Sequence, residues 1–130
     1  MKLEEFSQDD FERASRRLVR SLTRGKTTSS QPKAILLGGQ SGAGKTTIHR
    51  IKQREFQGNI IIIDGDSYRS FHPNYLGLQE KYGKDSVDYT KVFAGQMVEY
   101  LVDELSKQGY HLLIEGTLRT TEVPRKTSQL

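Results

Sequence analysis

The sequence contains no cysteine, which excludes a disulfide scaffold and any metal site built on thiolates. It also lacks a long apolar run. The stretch Ile60 to Ile63 holds four residues, where a membrane-spanning helix needs about 20. The first ten residues, MKLEEFSQDD, are acidic and polar, whereas a secretory leader is basic and then apolar. A cytoplasmic location, with no membrane partner, follows by default. Charge of one sign is not in large excess: 20 Lys and Arg stand against 16 Asp and Glu, a net charge of +4. The basic residues are scattered, and no helix-turn-helix signature or alternation of aromatic and basic residues is present. Nothing therefore points to nucleic acid as a partner, although a mildly basic surface suits an anionic substrate. There are no internal repeats.

What is present is the material of one small globular domain. The chain has 130 residues, and its apolar fraction of 34% is gathered into short clusters rather than spread evenly. Ser7 can cap a helix, with Asp10 three residues later, and Phe11, Ala14, Leu18 and Leu22 then fall on one helical face. Gly25 ends that helix, and KTTSSQPK (26–33) reads as a loop. Ala34-Ile35-Leu36-Leu37 reads as a buried strand running into glycines, followed by a helix from about Lys45 to Phe56. Asn59 to Ile63 is a second buried strand, because four successive isoleucines suit a strand covered on both faces. Residues 67–85 carry Pro73, Gly77 and Gly83 and read as a loop-rich excursion with one helical turn. Val87 to Gln108 reads as a long helix, with Phe93, Met97, Leu101 and Leu105 at spacing four and Gly109 as its stop. His111 to Ile114 is a third strand, and Pro124 opens a further helix. Alternation of helix and strand predicts an α/β fold: a parallel sheet with helices on both faces.

Gly39-Gln40-Ser41-Gly42-Ala43-Gly44-Lys45-Thr46 matches G-x-x-x-x-G-K-[ST], a phosphate-binding P-loop. The glycines let successive backbone N–H groups converge on phosphate oxygens, and the following helix turns its positive end toward them. Lys45 is placed to reach the β- and γ-phosphates of a nucleoside triphosphate, and the Thr46 hydroxyl to ligate Mg²⁺. At ordinary residue usage the four fixed positions arise by accident in well under ~1% of chains this long. Thr47 reads as a helix-surface or packing residue. His49, at helical spacing from the loop, reads as a bystander.

Ligands of open parallel sheets bind beyond the carboxyl ends of the strands. Three groups reach that edge: the P-loop after the first strand, Asp64 and Asp66 after the second, and Glu115 after the third. An acid there either helps hold Mg²⁺ or accepts a proton from a substrate hydroxyl. Asp66 is the favoured functional acid; the alternative for one acid of the Asp-Gly-Asp turn is to cap the next turn. Glu115 would be costly to bury without a partner, which favours a role in substrate or metal binding. Thr117 and Arg119 lie just beyond it, with Arg119 suited to a phosphate on the acceptor. Glu99 reads by periodicity as a surface residue.

The segments AILLGGQSGAGKTTIHRIKQREF, IIIIDGDSYRSFHP, YGKDSVDYT and LLIEGTLRT, spread over nearly the whole chain from Lys33 onward, resemble the zeta-toxin family of bacterial toxin–antitoxin systems, in its PezT-like branch. The resemblance implies a P-loop kinase that transfers the γ-phosphate of ATP to the 3′-hydroxyl of UDP-N-acetylglucosamine, poisoning cell-wall precursor synthesis, with a small antitoxin protein that occludes the ATP site. Carried over, Lys45, Thr46 and the rest of the loop from Gly39 to Thr47 hold ATP and Mg²⁺. Asp66 is the catalytic base that takes the sugar hydroxyl proton, and Glu99, Glu115, Thr117 and Arg119 join it in binding the acceptor. For Glu99 the resemblance replaces the surface reading.

Family members extend further at the C-terminus, where they supply arginines for the transferring phosphoryl group, worth about 10³–10⁵ in rate. The expectation is therefore a single P-loop kinase domain over 1–130, incomplete and truncated at the C-terminus. Residues 1–25 form its N-terminal helix and 34–130 its nucleotide-binding core. Such a chain would be a weak or inactive kinase with an exposed apolar strand edge. Two alternatives are a small-metabolite kinase of the shikimate or gluconate type and a non-catalytic fragment that binds nucleotide or antitoxin.

Overall fold

The structure, a computed structural model, describes residues 2–37 and 43–115. Four helices and three strands alternate: α1 (Gln8–Thr23), β1 (Ala34–Leu37), α2 (Ala43–Glu55), β2 (Ile61–Asp64), α3 (Tyr75–Tyr82), α4 (Ser86–Gln108) and β3 (Leu112–Glu115). The strands are parallel in the order β1-β3-β2. The predicted α/β architecture is what the chain forms, and the third strand enters between the first two. Among the described residues no helix is long and apolar enough to cross a membrane.

Local chemistry explains the boundaries. Ser7 and Asp10 make a reciprocal capping box: Ser7 Oγ accepts from the Asp10 amide at 3.0 Å, and the Asp10 carboxylate accepts from the Ser7 amide at 3.5 Å. α4 ends at Gly109, whose φ of 99° is left-handed and whose Cα lies so close to the loop that a Cβ would stand 3.0 Å from the Ser29 carbonyl oxygen. A side chain there would meet both strain and backbone.

The parity of the strands sorts the sheet into two faces. Ala34, Ile61, Ile63, Leu112 and Ile114 join one core with Phe11, Ala14 and Leu18 of α1 and with Phe93, Met97, Leu101 and Leu105 of α4. The spacing-four stripe of α4 is buried as its periodicity predicts, all four residues at 0% exposure. Phe93 sits edge-on to Phe6 (centroids 5.0 Å) and Phe11 (5.8 Å) beneath it. The opposite parity (Ile35, Leu37, Ile62, Asp64, Leu113 and Glu115) faces the side on which α2 lies, shown by the contact of α2 with Glu115 described below. Among the described residues β1 pairs on one side only, and its Leu36 is 46% exposed. An open, apolar strand edge was expected.

Three expectations are corrected. Strands β2 and β3 end one residue later than their apolar runs, so that Asp64 and Glu115 are strand residues rather than loop residues. β2 also begins two residues later, since Asn59 serves a turn and its side-chain oxygen accepts from the Thr27 amide at 2.8 Å. The excursion 67–85 is more ordered than a loop. It holds a 3₁₀ segment (Gly65–Phe71), the eight-residue α3 and a short 3₁₀ turn (Gly83–Asp85). Its anchors, Tyr68, His72 and Leu78, are buried but too sparse to show a period. His72 links this segment to the N-terminus, its Nδ1 accepting from the Asn74 amide and its Nε2–H donating to the Glu4 carbonyl, each at 3.0 Å. The helix expected at Pro124 lies outside the described residues.

Candidate functional site

In the parallel register Leu37, Glu115 and Asp64 are level with one another across β1, β3 and β2. Adjacent strands are about 4.8 Å apart, so two carboxylates and the exit toward the P-loop sequence share one sheet edge and one face. Two of the three sites predicted to converge at the carboxyl ends, the acids of β2 and β3, are thus brought together at the level of the backbone, beside the end of β1. Residues 38–42, and with them Gly39, Gln40, Ser41 and Gly42 of the motif, lie outside the described residues, as do Thr117 and Arg119.

Ala43, Gly44 and Lys45 form the first turn of α2, as the motif requires. That turn contains no acidic residue, in contrast to α1, which carries Asp9 and Asp10 at its start. A helix N-terminus left without its own carboxylate is open to an external anion. Thr46 and Thr47 follow, both exposed.

The two aspartates divide their work. Asp64 caps the 3₁₀ segment: Oδ1 accepts from the Asp66 amide at 3.2 Å and Oδ2 accepts from the Ser67 hydroxyl at 2.9 Å. Both of its oxygens are engaged in holding the turn. The Asp66 carboxylate has no hydrogen bond or ion pair among the described residues and is exposed, while the Asp66 carbonyl accepts from Arg69 Nε at 3.3 Å. Of the two acids, Asp66 is the one available to a ligand. Thr46 and Asp66 are hard oxygen donors of the kind Mg²⁺ takes, which fits the ion the motif implies.

Behind the turn, Gly65 packs against α4. A Cβ at Gly65 would lie 2.9 Å from Cγ2 of Val98, so the missing side chain lets the turn approach the helix. Glu99, the next residue on α4, is exposed, in keeping with its periodicity. It sits beside the residue that touches Gly65, so it stands at the level of the Asp-Gly-Asp turn. Tyr68, beneath the turn, is 3% exposed. Burial, with a smaller contribution from the Asp64 charge, pushes its pKa up to about 12. No hydrogen bond of good geometry reaches its hydroxyl among the described residues, although the Asp64 backbone lies close enough to temper the shift.

One partner was not legible in the sequence. The Nε2–H of His49, on α2, donates to Oε2 of Glu115 in a charge-assisted contact. Glu115 is 7% exposed and His49 27%. The expected need of a buried Glu115 for a partner is met, by a residue first read as a bystander. The sole sequence signal was its position four residues after Lys45.

Comparison with known proteins assigns this architecture. The sequence model of the zeta toxin family matches residues 18–130. The chain belongs to the zeta toxin family. It is 68% identical over all of its length to toxin PezT of Streptococcus pneumoniae, of which it covers 51%. It is 40% identical over 97% of its length to toxin zeta of Streptococcus agalactiae, of which it covers 44%. A solved chain from the PezAT chromosomal toxin–antitoxin system of Streptococcus pneumoniae superposes with a TM-score of 0.91 at 69% identity, covering 99% of this chain and 53% of that one. The chain spans about half the length of the curated relatives it matches. Zeta-toxin membership bears out the resemblance drawn from the sequence, and the structural match bears out its fold.

Proposed function

We propose that this zeta-toxin chain carries the nucleotide-binding and acceptor-side elements of an ATP-dependent kinase acting on the 3′-hydroxyl of UDP-N-acetylglucosamine. The observation that carries the reading is the level register of Leu37, Glu115 and Asp64, with an exposed Asp66 carboxylate on the turn beyond that has no partner among the described residues. The P-loop backbone, Lys45 and Thr46 would hold the triphosphate, and Thr46 would ligate Mg²⁺, which when bound neutralises charge on the phosphates. Asp66 accepts the proton of the sugar hydroxyl as its oxygen bonds to the γ-phosphorus. The bond from that phosphorus to the β,γ-bridging oxygen breaks and ADP leaves. Glu115, Glu99, Thr117 and Arg119 orient the acceptor. An antitoxin protein is the partner suggested by the toxin–antitoxin system of the structural relative, and the cytoplasm, where ATP and sugar nucleotides are found, is the compartment that suits this chemistry.

The test has two parts. Calorimetry with Mg·ATP, on the chain and on Lys45→Ala, reads the nucleotide site, and loss of binding in the variant is expected. Transfer of labelled phosphate from ATP to UDP-N-acetylglucosamine, with shikimate and gluconate as competing acceptors, reads the reaction. Asp66→Asn should lower kcat by at least about 100-fold, the scale of a lost general base. Phosphorylation of the small acids alone would reject the sugar-nucleotide reading. Tight Mg·ATP binding without transfer to any acceptor would favour a nucleotide- or antitoxin-binding module, a reading to which the half-length span of the chain lends weight.

A further inference from the structure

We infer that His49 is a positioning residue for Glu115: it fixes that carboxylate at the end of the central strand and thereby sets the P-loop helix and the acceptor-side acid as one unit. The inference rests on the acceptor-binding role proposed above for Glu115. Glu115 ends β3, the central strand, level with Leu37 and Asp64. At 7% exposure its carboxylate has lost most of its water, and a buried charge without a partner is strongly disfavoured. Among the described residues the partner it finds is the His49 Nε2–H.

The other end of the bond matters equally. His49 is 27% exposed, so packing alone does not hold its ring. None of the described side chains of α2 is fully buried; Ile48 and Lys52 at its inner side, and Phe56 just past its end, are half-buried and Ile51 is exposed. Apolar contact therefore fixes the rotation and height of α2 only loosely. A hydrogen bond to an ionised carboxylate is about twice as strong as a neutral one and is directional. His49 lies four residues, or one helical turn, after Lys45 on α2, so the two positions share a helix face. The bond from His49 to Glu115 thus spans from the helix that opens at the phosphate-binding turn to the strand whose end faces the acceptor. The imidazole needs to touch neither substrate.

Calorimetry with UDP-N-acetylglucosamine and with Mg·ATP, on the chain, on His49→Ala and on His49→Gln, tests this. His49→Ala should weaken the sugar nucleotide about tenfold, part of the worth of a hydrogen bond to a charged group, and weaken Mg·ATP by a smaller factor of about two to three, as α2 loosens without losing any group of its first turn. His49→Gln, whose amide still donates, should recover most of the loss. Unchanged sugar-nucleotide affinity in His49→Ala overturns the inference. So does an equal loss for both ligands with no recovery in His49→Gln, which would mark a merely structural residue. The imidazole ¹H–¹⁵N spectrum supplies a second readout that needs no ligand. An Nε2-bound proton protected from exchange is expected in the chain and should vanish in Glu115→Ala. If the wild-type chain binds no sugar nucleotide, the kinase reading fails on its own account and the spectrum decides for His49: a protected proton sustains the coupling, and its absence overturns it.

Discussion

An alanine at position 65 would carry its Cβ to 2.9 Å from Cγ2 of Val98, where the optimum for two carbons is about 3.5–4.0 Å. Val98 cannot easily give way. It is 4% exposed on α4, and a β-branched side chain in a helix has one strongly preferred rotamer. The turn must move instead. Overpacking of this kind costs about 1–3 kcal/mol, offset by ~0.4–1 kcal/mol because alanine restricts the unfolded chain more than glycine does. We expect Gly65→Ala to lose about 1–2 kcal/mol, read as a drop in Tm of several degrees for a chain of this size. The decisive assay is a double-mutant cycle in denaturant. Val98→Ala removes the offending methyl groups, so the double variant should be more stable than the sum of the singles by about 1 kcal/mol. Since Gly65 joins Asp64 to Asp66, the same shift should weaken Mg·ATP binding in Gly65→Ala and be relieved in the double variant. Additivity within ~0.3 kcal/mol, or intact Mg·ATP binding in a destabilised Gly65→Ala, would refute the reasoning that this glycine sets the turn against α4.

Ser7→Ala breaks the capping box of α1 and should cost about 1 kcal/mol by denaturant unfolding, with Mg·ATP affinity unchanged; this separates loss of stability from loss of the site in the Gly65 experiment. Tyr68 makes the alkaline limb of stability testable. Its pKa of about 12 in the folded chain exceeds the ordinary 10, so the unfolded chain releases this proton first. The contribution is therefore complete below about pH 10 and is lost as pH rises toward 12, amounting to ~2–3 kcal/mol at most. Tyr68→Phe should flatten that part of the profile while staying within about 1 kcal/mol of wild type at pH 7, because the hydroxyl it removes has no well-formed hydrogen bond among the described residues. An unchanged alkaline slope in the variant would show that Tyr68 is not the group responsible.

What could be read in advance depended on how local each signal was. β1 was legible because four apolar residues abut the glycines of the P-loop, and α4 because Phe93, Met97, Leu101 and Leu105 repeat at one helical interval. In the excursion after β2, Pro73 and Gly83 were read as marks of a loop-rich stretch, whereas they stand at the borders of α3, with Gly83 at a φ of 57°. The partnership of His49 with Glu115 joins residues 66 apart, and no local pattern reports it. Strand order was hidden for the same reason, since Ile61–Ile63 and Leu112–Ile114 are equally apolar and either could stand in the middle.

The acids themselves help to set the register on which the site depends. Asp64 and Glu115 share a parity opposite to that of Ile61, Ile63, Leu112 and Ile114, which fill the core beneath α1 and α4. A slip of one residue in β3 would turn Leu112 and Ile114 away from that core, bring Leu113 in, and send the Glu115 carboxylate among the phenylalanines. There it would lose the His49 Nε2–H that it has in the native register, and an unpaired buried carboxylate costs several kcal/mol even after relaxation. The same side chain that serves the proposed acceptor site therefore also penalises the wrong strand alignment. Glu115→Leu removes that penalty and should broaden the amide spectrum of β3 as alternative registers become accessible, whereas Glu115→Gln, still polar, should keep the single register.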